Sequence, residues 1–175
     1  VVEINETTFP DARVRAAVED KADTDHNGKL EQSEITALNY LDLYPFKDSD
    51  DYDGDDDNEN PVKPEYYTPD DFKIDLKGIE YLTSLTDLTL NFGGGTDMTE
   101  GNVKHLTKVS NFDSVYSLTS LKKLAIYNAD IAQISCDKLP ELEKLTLYDL
   151  DNVKSLKPVG KKLKSLWVED ADKLT

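Results

Sequence analysis

The residues whose types and spacing point most directly to chemistry lie between Asp23 and Glu34. Within these twelve residues, side-chain oxygens stand at positions 1, 3 and 5, a glycine at position 6 and a carboxylate at position 12. Hard oxygen ligands at this spacing suit Ca²⁺ far better than zinc, which prefers nitrogen and sulfur. The predicted metal ligands are Asp23, Asp25, Asn27, Lys29, Glu31 and Glu34.

The spacing fits the twelve-residue EF-hand calcium loop, which gives each ligand a distinct role. Lys29 would offer its backbone carbonyl, Glu31 would act through a water molecule, and Glu34 would bind through both carboxylate oxygens. Gly28 permits the sharp turn of the loop. The alternative is a solvated acidic turn between two helices. Because the sequence holds one such loop, we expect a structural site with a dissociation constant on the order of 10⁻⁴ to 10⁻³ M.

A helix must carry the chain into this loop, and the sequence predicts one before it. Thr8 is expected to cap the helix, Pro10 suits its first turn, and Asp11 favours the positive end of the helix dipole. Apolar residues then recur at helical spacing, which predicts one buried face through about Ala22. The residues of this face are Val14, Ala17 and Val18.

The rest of the chain is organised by a repeat. The pattern Leu-x-x-Leu-x-x-Leu-x-apolar begins at Leu118, and it begins again 21 residues later at Leu139. A fixed period of about 20 to 29 residues with this pattern is typical of leucine-rich repeats. Earlier, less evenly spaced copies run from Ile35 to Leu43 and from Leu82 to Leu90. A further partial copy, again 21 residues on, holds Leu163, Leu166 and Val168.

Apolar residues two apart on a short strand point to the same side, so each repeat predicts a strand with its leucines in the core. One coil cannot bury its leucines alone, so coils stack and their strands pair as a parallel sheet. The sequence therefore predicts an α/β protein, a leucine-rich-repeat solenoid with short parallel strands on its concave face and a small helical, EF-hand-like N-terminal cap. We place the cap at residues 1–34 and the solenoid at 35–175, with insertions at about 45–75 and 93–115. The five strand segments are Leu41 to Leu43, Leu88 to Leu90, Leu124 to Ile126, Leu145 to Leu147 and Leu166 to Val168.

Several features lie between or within the repeats. The acidic segment from Lys47 to Asn60 is interpreted as a flexible loop, and the alternative is an irregular second calcium site at 48–59. Gly93 to Gly95 predict a flexible turn, because the sequence that follows lacks the lysine of a phosphate-binding loop. His105 has no residue at metal-ligand or nucleophile spacing, so we expect a surface histidine. Cys136 is expected to be a small buried residue, since one cysteine cannot form an internal disulfide.

The composition narrows the classes of function. A net charge of −16 argues against nucleic acid and against anionic membrane surfaces, because both need a basic footprint. The excess of carboxylates serves either solubility or the binding of cations. No stretch approaches the roughly 18 apolar residues of a membrane span, so no membrane insertion is predicted. Two distant histidines and carboxylates concentrated in loops do not favour an enzyme.

The two ends of the sequence carry expectations of their own. The chain begins at Val1 without methionine and without a basic and apolar leader, which indicates a mature or trimmed chain. Near the other end, residues from Leu163 onward begin a coil that no polar capping segment follows. An open apolar end is unfavourable, so we expect the natural protein to continue beyond Thr175.

Three segments follow one another along the chain: Phe9-Pro10-Asp11-Ala12 with its helix, the calcium loop, and Gly78-Ile79-Glu80-Tyr81-Leu82-x-x-Leu85-x-x-Leu88-x-Leu90. This order of cap and repeats resembles that of secreted leucine-rich-repeat surface proteins of Gram-positive bacteria, and the repeats are similar to those of internalins. The resemblance implies export, a secreted or cell-surface location and the binding of another macromolecule. Ala129 and Leu150 stand where those repeats carry asparagine, so an asparagine ladder between coils should be incomplete.

Strand alternation also predicts where a ligand binds. Aromatic residues with a polar group are enriched at protein interfaces and also stack on sugars. We expect an adhesin-like module that binds a protein on its concave face. The alternative is a carbohydrate-associated module of a larger cell-wall or glycan-processing protein, and in either case we expect a monomer. The predicted concave ligand-binding residues are Tyr44, Asn91, Tyr127, Tyr148, Trp167 and Glu169.

Overall fold

In a computed structural model, the protein is α/β, with parallel sheets and few helices. This confirms the predicted fold at the level of its class. The structure describes residues 1–44, 72–92, 96–97, 103–104, 106–157 and 161–175. The predictions for the acidic segment 47–60, for the glycines 93–95 and for His105 lie outside the described residues.

The described ranges hold two α-helices, α1 (Ala12–Lys21) and α2 (Gln32–Ala37). Short 3₁₀ helices span Ile79–Tyr81, Phe112–Ser117 and Cys136–Lys138. The strands in the same ranges are β1 (Val2–Glu3), β2 (Lys29–Leu30), β3 (Tyr40–Leu43), β4 (Lys73–Asp75), β5 (Asp87–Asn91), β6 (Thr96–Asp97), β7 (Val103–Lys104), β8 (Thr107–Ser110), β9 (Lys123–Tyr127), β10 (Ala129–Asp130), β11 (Gln133–Ser135), β12 (Lys144–Tyr148), β13 (Ser155–Lys157) and β14 (Ser165–Glu169).

The main sheet joins the five strands that the repeats predict. All neighbours are parallel, in the order β14-β12-β9-β5-β3. Residues 21 apart in the sequence are partners between β9 and β12 and between β12 and β14. The period of the repeat therefore sets the register of these strands. One row of partners, at the first inward position of each strand, consists of Leu41, Leu88, Leu124, Leu145 and Leu166.

Burial alternates along these strands as the pattern predicts. In β12, Leu145 and Leu147 are fully buried, whereas the residues between and beside them face outward. The edge strand β14 keeps the register, but Leu166 and Val168 remain 47% and 37% exposed. The inward leucines of an inner strand are thus buried by the strands on both sides, whereas those of the edge strand β14 stay partly exposed.

The same short turn leads into three of the strands. A 3₁₀ helix ends just before Leu82, Leu118 or Leu139, and the residue three positions later donates its N–H back to that leucine's carbonyl. Both leucines of each pair are buried. The Leu-x-x-Leu half of the pattern therefore forms a tight apolar corner, and the Leu-x-Leu half forms the strand.

Some of the strands outside the main sheet lie within the predicted insertions. β4, β8 and β10 form a second parallel sheet in the order β10-β8-β4, and β11 pairs with β13. β4 and β8 lie within the segments 45–75 and 93–115, and Val115 is fully buried. The leucine pattern does not mark these strands, because they are short and their apolar residues are few.

Helix α1 begins later than the sequence predicts. Asp11 is the N-cap, and its carboxylate accepts a hydrogen bond from the Arg13 N–H at 2.9 Å, so the prediction of Thr8 as the cap is wrong. The Asn5 side chain instead accepts from the N–H groups of Thr7 and Thr8. The predicted apolar face is correct in its centre, where Val14 and Val18 are fully buried.

The N-terminal helix is tied to the β4 region by polar and apolar contacts. Asp11 Oδ2 accepts from the Asp75 N–H at 3.1 Å, and the Arg13 guanidinium donates to the Lys73 carbonyl. Phe9 is fully buried against Gly78, where an added Cβ would lie 2.2 Å from the ring. These contacts fix the helix that delivers the chain to the acidic loop.

Candidate functional site

The acidic loop connects α1 to α2 and is closed by its own first carboxylate. Asp23 is 3% exposed, and its two oxygens accept from the N–H groups of Asn27 and Gly28 at 3.1 and 2.9 Å. Gly28 has a φ of +78°, a conformation that glycine adopts without steric cost. The predicted glycine turn is therefore present, and Asp23 holds it from inside.

Glu34 closes the loop from the other end. It lies in the first turn of α2 and is 7% exposed. Its Oε1 accepts from the Thr24 N–H and hydroxyl at 2.7 and 2.8 Å, and its Oε2 accepts from the Glu31 N–H at 3.0 Å. The Glu31 N–H is the largest of the causes that lower the pKa of Glu34 to about 2. Glu34 therefore stays ionised throughout the physiological pH range.

The folded loop brings three predicted ligands together. Asp23, Asp25 and Glu34 each offer one carboxylate oxygen, and these oxygens lie within 4.8 Å of one another. Like charges at this distance repel, and a divalent cation among them would offset most of that repulsion. The donor set consists of hard oxygens, so these residues fit a calcium ion. The cluster could hold a metal, and calcium is the ion that its chemistry favours.

The other three predicted ligands lie beside this cluster. The Asn27 side-chain amide donates to Asp25 Oδ2 at 2.9 Å and to Glu31 Oε1 at 3.3 Å. Asn27 therefore connects the carboxylates of Asp25 and Glu31. It does so through its amide nitrogen, whereas a cation would be bound by its amide oxygen. Lys29 lies in β2, which pairs with β1 in the antiparallel direction. Its side chain is exposed and forms an ion pair with Glu3 at 3.3 Å.

The second candidate site is the outward side of the main sheet, where the predicted ligand-binding residues fall into defined rows. Asn91, Tyr127, Tyr148 and Glu169 are successive partners across four strands. Trp167 belongs to the neighbouring row, two residues before Glu169. Tyr44 follows the end of β3 and lies outside the paired register. We call the outward residues Tyr44, Asn91, Tyr127, Tyr148, Trp167 and Glu169 the aromatic face.

The aromatic rings of this face differ in exposure and in contacts. Tyr127 and Tyr148 are half-buried, with ring centroids 6.1 Å apart and planes inclined by 40°. Trp167 is 60% exposed, and its indole N–H donates to Glu169 Oε2 at 3.1 Å. Tyr44 is 50% exposed. The face therefore combines a packed tyrosine pair with an accessible indole ring.

Small side chains and charged side chains both lie around the aromatic face. Ala125 and Thr146 are the next outward residues to the two tyrosines in the same strands. Lys123 forms an ion pair with Asp87 at 2.5 Å across neighbouring strands. A ligand on this surface would therefore meet aromatic rings and hydroxyl groups together with the charge of Lys144.

Several residues that support these sites belong to none of the predicted motifs. Thr24 donates two hydrogen bonds to Glu34, and β1 pairs with the loop strand β2. Tyr40 is 48% exposed and donates to Asp42 at 3.3 Å on the outward side of β3. The short alternation Val2-Glu3-Ile4 is a sequence signal that could have indicated the extra strand.

Other chemistry-bearing residues lie apart from both sites. Cys136 is fully buried, as predicted, and burial raises the pKa of its thiol. None of the helices in the described ranges has the length and apolar character needed to cross a membrane.

A scan against models of protein families finds no match for the chain, and a search of curated proteins finds no similar sequence.

Proposed function

We propose that the protein is a secreted or cell-surface leucine-rich-repeat module that binds a protein partner, with a structural calcium site in its N-terminal cap. The observation that carries the binding proposal is the row of outward residues that crosses neighbouring parallel strands. A regular sheet surface that carries aromatic side chains is suited to a macromolecular ligand, since such residues dominate interface energetics.

The proposed solenoid is supported by the agreement between sequence period and register. Each 21-residue unit repeats a tight leucine corner and a five-residue strand, and inward residues of successive units form one column. Repeats of this kind bury their leucines only against neighbours. The similarity to internalin-like surface proteins is part of the proposal, and so is an extracellular setting in which calcium is abundant.

The calcium site is supported by the three carboxylates within 4.8 Å of one another. Asp23, Asp25 and Glu34 would hold the ion, with Asn27, the Lys29 carbonyl and Glu31 completing the oxygen set. Bound calcium would offset two of the three negative charges of the cluster and hold α1 and α2 at a fixed angle. The protein would thus gain stability rather than a catalytic group from the metal.

A protein partner is favoured over a glycan by the tyrosine pair. A sugar ring stacks on the open face of an aromatic ring, whereas Tyr127 and Tyr148 are half-buried and inclined toward each other. Tyrosine pairs of this kind offer hydroxyl groups and apolar edges together, as protein interfaces do. Carbohydrate association remains the second candidate, because the exposed ring of Trp167 provides one open face.

The binding proposal is tested with two printed arrays, one of extracellular proteins and one of glycans, probed with the labelled full chain. We expect specific protein signals that Tyr127→Ala combined with Tyr148→Ala reduces at least tenfold, because hot-spot aromatics typically contribute 2 kcal/mol or more. The control is Lys138→Ala, whose side chain packs over the Tyr116 ring outside the main sheet. Binding that survives the double substitution would exclude the aromatic face as the contact surface. Signals confined to glycans and lost in Trp167→Ala would favour the second candidate.

A further inference from the structure

The calcium loop is paired with a strand from the beginning of the chain. β1 and β2 are antiparallel, with Val2 opposite Leu30 and Glu3 opposite Lys29. β2 falls at positions 7 and 8 of the twelve-residue loop, so the segment that β1 holds includes the predicted carbonyl ligand. The loop is therefore supported by residues distant from it in the sequence.

The register determines which backbone groups the pairing uses. The Ile4 N–H donates to the Gly28 carbonyl at 2.9 Å. Hydrogen-bonded and non-bonded residue pairs alternate along an antiparallel ladder, so the next bonded pair is Val2 with Leu30. The intervening pair of Glu3 and Lys29 is a non-bonded one, and the Lys29 carbonyl points away from β1. The pairing thus fixes the peptide groups on both sides of Lys29 and leaves its carbonyl available.

β1 is itself held firmly enough to act as a support. Ile4 is 8% exposed, and Val2 packs against the core. Leu30, opposite Val2, is fully buried. An exposed ion pair between Glu3 and Lys29 adds little, since such pairs are screened by solvent. Backbone hydrogen bonds and apolar packing therefore dominate the attachment.

We propose that β1 is a clamp that sets the calcium affinity of the loop without supplying a ligand, by fixing the backbone around Lys29. The inference rests on the proposed calcium site. Ordering a flexible backbone costs conformational entropy, and a loop already ordered by β1 does not bear that cost again when the ion binds. Linkage requires the reverse effect as well, so that bound calcium holds β1 in place by the same factor.

The clamp is tested by calorimetric titration of CaCl₂ into the full chain and two proline variants. Val2→Pro removes an N–H that pairs with Leu30, whereas Glu3→Pro removes an N–H that faces away from β2. We expect Val2→Pro to weaken calcium binding roughly three- to tenfold, the equivalent of one backbone hydrogen bond. The calcium affinity of Glu3→Pro should stay within about twofold of that of the unchanged chain, because this variant loses only an exposed ion pair.

The outcomes separate the clamp from the calcium site. Equal affinities for the unchanged chain, Val2→Pro and Glu3→Pro would overturn the clamp and leave the calcium site standing. No calcium binding by the unchanged chain would overturn the calcium site itself. If Val2→Pro loses its folded circular dichroism spectrum, hydrogen exchange of the Leu30 amide in the unchanged chain decides instead. Calcium should slow that exchange, and an exchange rate indifferent to calcium would overturn the clamp.

Discussion

Glu34 has two roles at the residue scale, one that the sequence indicates and one that it does not. As the last residue of the acidic loop it is a predicted ligand, and its oxygen lies within 4.8 Å of those of Asp23 and Asp25. The same carboxylate accepts hydrogen bonds from Thr24 and Glu31. Through these hydrogen bonds Glu34 joins the two ends of the loop without any contribution from a metal ion.

The pH dependence of stability should report this second role. The pKa of Glu34 is lowered to about 2 from an ordinary value of 4.5, so its contribution is complete above about pH 5 and is lost as the pH falls toward 2. In chelator at pH 7, Glu34→Gln should lower the free energy of unfolding by about 1 to 3 kcal/mol, because hydrogen bonds to a charged acceptor are lost. The difference from the unchanged chain should shrink as the pH approaches 2.

Urea unfolding at a series of pH values gives this difference directly. Glu143→Gln is the matched control, because Glu143 pairs with Lys164 at the surface at 2.8 Å. Its substitution should change the pH profile little, since solvent screens an exposed pair. If the difference in free energy of unfolding between Glu34→Gln and the unchanged chain stayed constant from pH 7 to pH 2, the ionised carboxylate would not be the source of the stabilisation.

At the scale of elements, the N-terminal helix is positioned by a few close contacts with segments that lie far from it in the sequence. Asp11 caps α1 and also accepts from Asp75 in β4, so one carboxylate both starts the helix and attaches it. Phe9 packs edge-on with Tyr81, with centroids 6.4 Å apart. Gly78 makes that packing possible, because its φ of +104° and its missing Cβ leave room for the Phe9 ring.

Two glycines of positive φ provide a matched pair of substitutions. A Cβ at Gly78 would lie 2.2 Å from the Phe9 ring, whereas a Cβ at Gly28 would meet nothing within 4 Å. Gly28→Ala should lower the free energy of unfolding by about 1 to 2 kcal/mol through backbone strain alone. Gly78→Ala adds overpacking and should cost about 2 to 5 kcal/mol. Chemical unfolding in chelator measures both, and equal losses would contradict the close packing at Gly78.

At the scale of the whole molecule, the acidic loop is one part of a strongly charged chain. The net charge of −16 disfavours the compact state through self-repulsion, and a bound cation would reduce that repulsion. α1, the loop and α2 lead directly into β3, the edge strand of the main sheet. A metal in the loop would therefore stabilise the end of the sheet as well as the loop.

Thermal unfolding of the full chain should reveal this stabilisation. With a dissociation constant of about 10⁻⁴ to 10⁻³ M, roughly 5 mM Ca²⁺ should add about 1 to 2 kcal/mol and raise the midpoint by roughly 2 to 8 °C relative to chelator. Asp23→Ala combined with Glu34→Ala should abolish the shift, because two of the three clustered carboxylates are gone.

The calcium measurement is accompanied by sodium chloride at matched ionic strength, which separates specific binding from general screening. A shift of equal size in the doubly substituted chain would place the calcium elsewhere, with residues 48–59 as the next candidate. A shift that sodium chloride reproduces would contradict a specific site altogether.

The sequence by itself determined the α/β class, the five strands of the main sheet and the acidic loop. These features follow from local periodicity, because a Leu-x-Leu spacing fixes which side of a strand is buried and a fixed period fixes the register. It also predicted that Asn91, Tyr127, Tyr148 and Glu169 face outward, and strand pairing places them in one row. The ligand of that row is not encoded in any local pattern.

Only the tertiary structure decided the contacts between distant segments. The pairing of β1 with β2, the attachment of Asp11 to Asp75 and the packing of Phe9 on Gly78 join residues far apart in sequence. Such contacts depend on chain path and close packing, which a one-dimensional pattern does not carry. Asp11 displaced Thr8 as the cap for this reason, since its carboxylate satisfies both its own helix and a neighbouring strand.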